Sequence, residues 1–283
     1  MTRRMRGNLV LLLAPACMVG LAMVSATVIM AVISAQPQGG NSLESTLAPT
    51  LVNYLYFFRD PYILNAALRT LLLSLAVTTL CLLFGYPVAW YLVYSQSPYR
   101  KLVFVIVLTP LLVSIVVRTL GWTILLGNEG VINHALQALG LIQEPIALMR
   151  SFWTVVAGMV HVFLPFMILS VASTLGSIDP SLPEAAALLG AGAATSFRTV
   201  TLPLSIQGIA SGSIIVFCLS AGVFLTPLWL SRGSVSVLAT VIKEQVLDAA
   251  NWPAGAATAM ILTFATLGCV GLYTALIRRY GAH

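Results

Sequence analysis

Apolar residues in this chain gather into long runs with no two-residue alternation. Six runs stand out, at 9–33, 70–94, 102–126, 152–175, 205–228 and 254–277. Each is long enough to cross a bilayer core about 30 Å thick, which takes roughly 20 apolar residues in a helix. Together they cover just over half of the chain and hold one formal charge, Arg118. At the chain's average charge density they would hold about eleven. A backbone inside lipid must pair its own N–H and C=O groups, so the runs predict helices. The expected fold class is all-α, a polytopic membrane protein with six transmembrane helices. Pro87, Pro110, Pro165 and Pro227 fall within the runs and predict kinks.

Composition removes the soluble alternatives. Of 283 residues, 59% are hydrophobic and 8% are charged, with 14 Lys+Arg and 8 Asp+Glu. A soluble domain carries roughly 25% charged residues. A soluble enzyme, a disordered linker and a nucleic-acid-binding domain are excluded on that ground, despite an isoelectric point of about 9.4. The basic excess instead sorts across the membrane. With the N-terminus inside, the inner segments hold Arg3, Arg4, Arg6, Arg100, Lys101, Arg198, Arg278 and Arg279 against Asp179 and Glu184, and sum to +6. The outer segments, counted with Arg118, sum to zero. The positive-inside rule then predicts both termini in the cytoplasm. The first run follows three arginines but is too long for a signal-peptide core of 7–15 residues, and reads as an uncleaved span.

The connections differ in character. Outer segments at 34–69, 127–151 and 229–253 carry mass. The first has a polar stretch at 36–41 and an interfacial aromatic cluster of Tyr54, Tyr56, Phe57, Phe58 and Tyr62. The last contains a helical-looking piece at 235–250, with Trp252 and Pro253 at its end. Inside, 95–101 is short, while 176–204 is close to thirty residues and is not a polar tether. It runs through Asp179, Pro180 and Ser181 into Glu184 and an Ala/Leu segment interrupted by Gly190 and Gly192, and closes at Pro203. Asp179 or Ser181 can cap a helix here, and Ser181-x-x-Glu184 fits a capping box. Such a segment has too few polar groups for open water. It either packs beneath its own bundle or seats a protein partner.

The spans offer little chemistry. They contain no Asp or Glu, so the ionisable relay of a proton- or sodium-coupled carrier is missing. His161 stands without an acid and reads as a packing histidine. Cys17, Cys81, Cys218 and Cys269 read as packing residues, and no Cys/His cluster has metal-ligand spacing. No GxxxxGK[ST] loop binds a nucleotide. Arg118 either lines a path or makes a structural pair. Trp122 can line a path or anchor at the interface, and so can Trp90 and Tyr91. Outer acids Glu129, Glu244 and Asp248 either attract a cation or a binding protein, or are solvated loop charge. Gly208-x-x-x-Gly212 is a small-residue face for close helix packing.

Glu184-Ala185-Ala186, Gly190 four positions on, and Val200-Thr201-Leu202-Pro203 at the end reproduce a known spacing. The segment resembles the EAA motif of membrane subunits of binding-protein-dependent ABC importers. Further matches resemble the spermidine/putrescine-type subunits: Arg118-Thr119-Leu120-Gly121-Trp122 with Leu125-Leu126-Gly127, Gly130 and Asn133, then Leu164-Pro165-Phe166-Met167, then Trp252-Pro253-x-Gly255-x-Ala257. The likeness covers about residues 50–275. It implies a type I ABC importer permease fold, with a first span and periplasmic segment at 1–65, a transmembrane domain at 66–277 and a cytoplasmic tail at 278–283. It implies that 177–203 is a coupling loop whose Glu184, Ala185, Ala186, Gly190 and Pro203 serve contact with an ABC ATPase dimer. The remaining implied partners are a second permease subunit, a periplasmic solute-binding protein and membrane lipid. The chain would be a transport subunit of the bacterial inner membrane and no enzyme. It would hold no cofactor, with ATP and Mg bound by the ATPase. Its cargo would be a small charged solute of polyamine type, with a phosphonate or ferric iron as alternatives, and Arg118, Trp122 and Asp248 are the candidate pathway residues. A self-sufficient secondary carrier is the rival from another class.

Overall fold

The computed structural model describes residues 2–37 and 49–280, with side chains described from 15 to 277 within those ranges. Part of the polar stretch at 36–41, Glu44, residues 281–283 and the side chains of Arg3, Arg4, Arg6, Arg278 and Arg279 lie outside that description. Every regular element among the described residues is helical. In chain order these are α1 (Thr2–Ser34), α2 (Val52–Arg59), α3 (Pro61–Tyr94), α4 (Arg100–Leu112), α5 (Ile115–Leu126), α6 (Val131–Ala138) and α7 (Phe152–Gly176). Then follow α8 (Ser181–Leu188), α9 (Ala193–Ser196), α10 (Leu202–Gly222), α11 (Leu225–Ser231), α12 (Leu238–Lys243) and α13 (Trp252–Tyr280). Among the described residues six segments are long and apolar enough to cross a membrane: Pro15–Ser34, Pro61–Tyr94, Ile115–Ala138, Phe152–Gly176, Ala193–Gly222 and Trp252–Ile277.

Three sequence expectations need correction. The span expected at 102–126 is two helices, α4 and α5, broken at Val113 (φ −97°, ψ 134°) and Ser114. Pro110 has no N–H for the last turn of α4, and the Ser114 hydroxyl accepts from the Val116 N–H (3.3 Å) to restart the chain as α5. The run at 205–228 breaks likewise at the extended Val223, and Pro227 falls in the first turn of α11, where its missing N–H costs nothing. The helical piece at 235–250 is shorter, α12 and one wide turn at Glu244–Asp248, while Trp252 and Pro253 open α13 and do not end the piece. By contrast α3 begins well before residue 70. Asp60 accepts from the Tyr62 N–H (2.8 Å) and Pro61 occupies the first helical position. Its 34 residues extend about 51 Å at 1.5 Å each.

The chain divides into two compact units, Met1–Leu64 with Val241–Phe264, and Asn65–Thr240 with Ala265–His283. In the second, α7 is the central helix. Val155, Met159, Met167, Val171 and Leu175 are fully enclosed, and α4, α5, α10 and α11 pack on it. In lipid, helices gain no hydrophobic drive from meeting one another, so close van der Waals contact and small residues must hold them. Gly208 and Gly212 supply that contact. A Cβ on Gly208 would lie 2.6 Å from Thr174 Oγ1, and one on Gly212 would lie 2.8 Å from Met167 Sδ. Ser170 adds hydrogen bonds to the Gly208 carbonyl (3.2 Å) and to Ser211 (2.7 Å). In the first unit, Asn53 donates to the carbonyls of Ser34 (2.9 Å) and Gln36 (2.7 Å), which ties α2 to the end of α1. There Tyr62 donates to Glu244 (2.9 Å).

Candidate functional site

The loop after α7 is built by local rules. Ser177 closes α7, and the Asp179 carboxylate accepts from the Ser181 N–H (2.9 Å). That bond holds the Asp179 pKa below the ordinary carboxylate value. The capping box expected from Ser181 and Glu184 does not form, because Pro180 takes the cap position and Ser181 is already helical. Helix α8 then ends in a Schellman turn. The Ala191 N–H donates to the Ala186 carbonyl (3.0 Å), the Gly190 N–H donates to the Ala187 carbonyl (3.0 Å), and Gly190 has φ +88°. A residue with a Cβ would be strained there, though nothing would touch that atom.

The return limb is anchored. From α9 the chain passes through a wide turn at Phe197–Thr201 into α10 without interruption. The Phe197 ring meets Trp90 edge-on (5.3 Å) and Tyr86 edge-on (5.9 Å), and Ser196 and Thr201 are buried. Trp90, read as an interface anchor or a path residue, packs here. Pro203 is exposed in the first turn of α10. Helix α8 itself buries no residue. Glu184, Ala185 and Gly190 are exposed and Ala186 is half-buried. Leu188 and Leu189 are 90% and 89% exposed. No sequence expectation singles out these leucines. The signal available was a Leu-Leu pair directly before a turn-forming glycine.

A second cluster lies within the spans. Arg118 and Trp122 are one turn apart on α5, and the Trp122 indole N–H donates to His161 Nδ1 on α7 (3.2 Å). An indole only donates, so Nδ1 is the accepting nitrogen and the imidazole proton sits on Nε2. The Arg118 Nε and Nη1 are buried with no acceptor among the described residues. Arg118 thus offers unpaired donors one turn from Trp122, whose own N–H is taken by His161. The role of His161 as Trp122's partner was not legible, since nothing in the sequence joins positions 39 apart. Asp248 belongs to the other unit, where both its oxygens are held by Lys243 (2.7 and 2.8 Å).

The residues between α5 and α7 also gain a physical reason. Asn133, fully buried, donates to the carbonyls of Gly127 and Ile146 and accepts from the Ile146 N–H, each at 3.0 Å. A Cβ on Gly130 would sit 2.6 Å from the Leu125 carbonyl oxygen. One amide and one missing side chain therefore shape the whole connection.

Residues 81–281 match the sequence pattern of the binding-protein-dependent transport system inner membrane component. The chain belongs to that family. The spermidine/putrescine transport system permease protein PotB of Escherichia coli K12 is 34% identical over 214 residues, 76% of this chain and 78% of that protein. The inner membrane ABC transporter permease protein YdcU of the same organism is 34% identical over 249 residues, 82% of this chain and 76% of that protein. A crystal structure of a bacterial alginate ABC transporter with its alginate pentasaccharide-bound periplasmic protein aligns over 98% of this chain and 96% of that one, at 22% identity and a TM-score of 0.80. That likeness gives the fold of an ABC importer transmembrane subunit. The protein is a multi-pass permease subunit of a binding-protein-dependent ABC importer of the inner membrane. Members of this family do not hydrolyse ATP, and they work with an ATPase and a periplasmic binding protein.

Proposed function

We propose that this subunit carries a small charged solute of polyamine type, with the 177–203 loop docking on the ATPase. Glu184, Ala185, Ala186, Gly190 and Pro203 frame the docking face, and Leu188 and Leu189 fill a partner's pocket. The single observation that carries the docking is the near-complete exposure of those two leucines on a loop whose return limb is anchored. On this reading both termini and the loop are cytoplasmic. An ATPase pair binds ATP and Mg, and a second permease subunit completes a path past Arg118 and Trp122. The importer core is the 66–277 segment. The polyamine cargo is supported by the 34% identity to PotB over three quarters of this chain.

A second cargo reading has its own observation. The donors of Arg118, and of His161 held by Trp122, suit an oxyanion better than a polycation. A putative 2-aminoethylphosphonate transport system permease protein PhnU of Salmonella paratyphi A is 26% identical over 218 residues, 77% of this chain and 75% of that protein. The test is uptake of labelled spermidine into proteoliposomes holding the whole importer with its binding protein. ATP-dependent uptake that unlabelled spermidine competes away supports the polyamine reading. ATP-driven transport of 2-aminoethylphosphonate, lost in Arg118→Gln and indifferent to spermidine, replaces it with the second. Transport without ATP or an ATPase overturns both.

A further inference from the structure

A groove of about 790 Å3 opens between the end of α3, the start of α4 and the end of α7. It lies on the membrane face that carries the 177–203 loop, since α7 runs directly from the groove at Gly176 into that loop. Its rim and walls differ in chemistry. Arg100 and Lys101 stand at the rim, both exposed and with no ion-pair partner among the described residues. They are the first two residues of α4, whose first turn holds no acid, so the positive end of that helix adds to their charge. Apart from Ser173 the walls are apolar, with Leu92 and Val93 from α3, Phe104 and Val105 from α4, and Leu169 and Ala172 from α7. Close to the groove in sequence, the Tyr94 hydroxyl donates to the Leu175 carbonyl (3.3 Å) and joins α3 to α7. Asp179, the acid just beyond α7, already accepts from Ser181.

We infer that this groove binds an anionic phospholipid, its phosphate on Arg100 and Lys101 and an acyl chain along the apolar walls. Charge complementarity selects the ligand. An unpaired basic pair at the bilayer edge, above an apolar crevice between helices, suits a lipid whose anionic head and hydrocarbon tail are joined at that spacing. A free anion would leave the crevice open, and a neutral lipid would leave the two cations unpaired. The groove is walled by α7, the helix from which the loop emerges, so its occupant braces the root of the loop.

The test is native mass spectrometry of the complete importer, delipidated and titrated with phosphatidylglycerol and with phosphatidylcholine of the same acyl chains. Each basic residue near an anionic surface contributes a factor of about five. Phosphatidylglycerol should therefore be retained at least tenfold better. Arg100→Gln with Lys101→Gln should abolish that preference, and the exposed side chains leave folding intact. Ala172→Trp, which fills the wall, should lower retention of both lipids. Glycerol phosphate, the headgroup without tails, should not compete. Equal retention of the two lipids by the unaltered importer overturns the inference, and so does a preference that survives the double substitution. A double variant that sheds the ATPase while keeping its lipid preference assigns the basic pair to a protein surface and also overturns it.

Discussion

Replacing Leu188 and Leu189 by alanine separates docking from folding. Both side chains are about nine-tenths exposed, so truncation removes almost no contact within the chain. Leucine and alanine are also both strong helix formers. The stability of the subunit should therefore change by less than about 0.5 kcal/mol, as for surface substitutions elsewhere. The complex should respond differently. Each replacement removes three carbons, worth about 2.4 kcal/mol at about 0.8 kcal/mol per buried methylene if the ATPase fully covers the side chain. That is about 50-fold in affinity for one leucine. Two assays read the difference. Thermal unfolding of the detergent-solubilised permease should be unchanged, while ATPase recovered with it in a dilution series should fall, and ATP-driven uptake with it. Retained association and uptake in the double variant would refute the docking assignment. A lowered unfolding temperature would refute the claim that these residues touch nothing in their own chain.

Three further outcomes follow from contacts inside the chain. Gly208→Ala puts a Cβ 2.6 Å from Thr174 Oγ1 and 3.0 Å from the Ser170 carbonyl oxygen, an overpacking that costs about 1–3 kcal/mol. The unfolding temperature should drop, and Thr174→Gly in the same chain should recover most of the loss. Asn133→Ala leaves the Ile146 N–H without its acceptor, while the Gly127 and Ile146 carbonyls keep the Gly130 and Leu148 N–H groups, at about 1–3 kcal/mol, and limited proteolysis should then cut within 127–151 faster than in the parent. Asp179 titrates below its ordinary value because it accepts from Ser181. A lowered carboxylate stabilises the fold above the unfolded pKa, and that contribution fades as pH falls through the lowered one. Amide protection in α8 should weaken in acid, Asp179→Asn should remove that pH dependence, and an unchanged pH profile would discard the cap.

What could be read from the sequence and what could not divides along physical lines. Span number and helical character follow from the cost of unpaired backbone in lipid, and that rule acts on any apolar run of sufficient length. Breaks within a run obey finer forces. Pro110 was legible as a kink, but its outcome depends on Ser114 being free to recapture the Val116 N–H, a choice made by the hydroxyl's orientation. The capping box failed for a similar reason, since Pro180 took the cap position and left the role to Asp179. The motif glycine was legible, because a left-handed turn restricts residue type so severely. The exposure of Leu188 and Leu189 was not. Exposure is a property of what does not pack nearby, and the Leu-Leu pair before the glycine marks the place of the turn but not what leaves it uncovered.

The anchoring pattern of the loop bears on how a load would travel through it. One end continues α7 and the other continues α10, and those two helices are locked face to face at Gly208 and Gly212. Sliding one past the other would drive the Thr174 side chain and the Ser170 carbonyl across the glycine face, where there is no spare room. Packed helices at such distances shift as a body more readily than they shear. A force on the proposed docking face would therefore rotate α7 and α10 together. The Phe197 ring, wedged against Trp90 and Tyr86, passes the same motion to the end of α3. Helix α5 is linked to this body by the Trp122 to His161 hydrogen bond and the Thr119 contact with Thr226 on α11 (3.5 Å). The donor site at Arg118 thus sits on the edge of the moving body, where a rotation changes what faces its unpaired nitrogens. Trp122→Phe removes one of those links while leaving an aromatic ring in place. It should lower solute uptake per ATP hydrolysed without weakening ATPase association, and unchanged coupling in that variant would mean the load reaches α5 by another route.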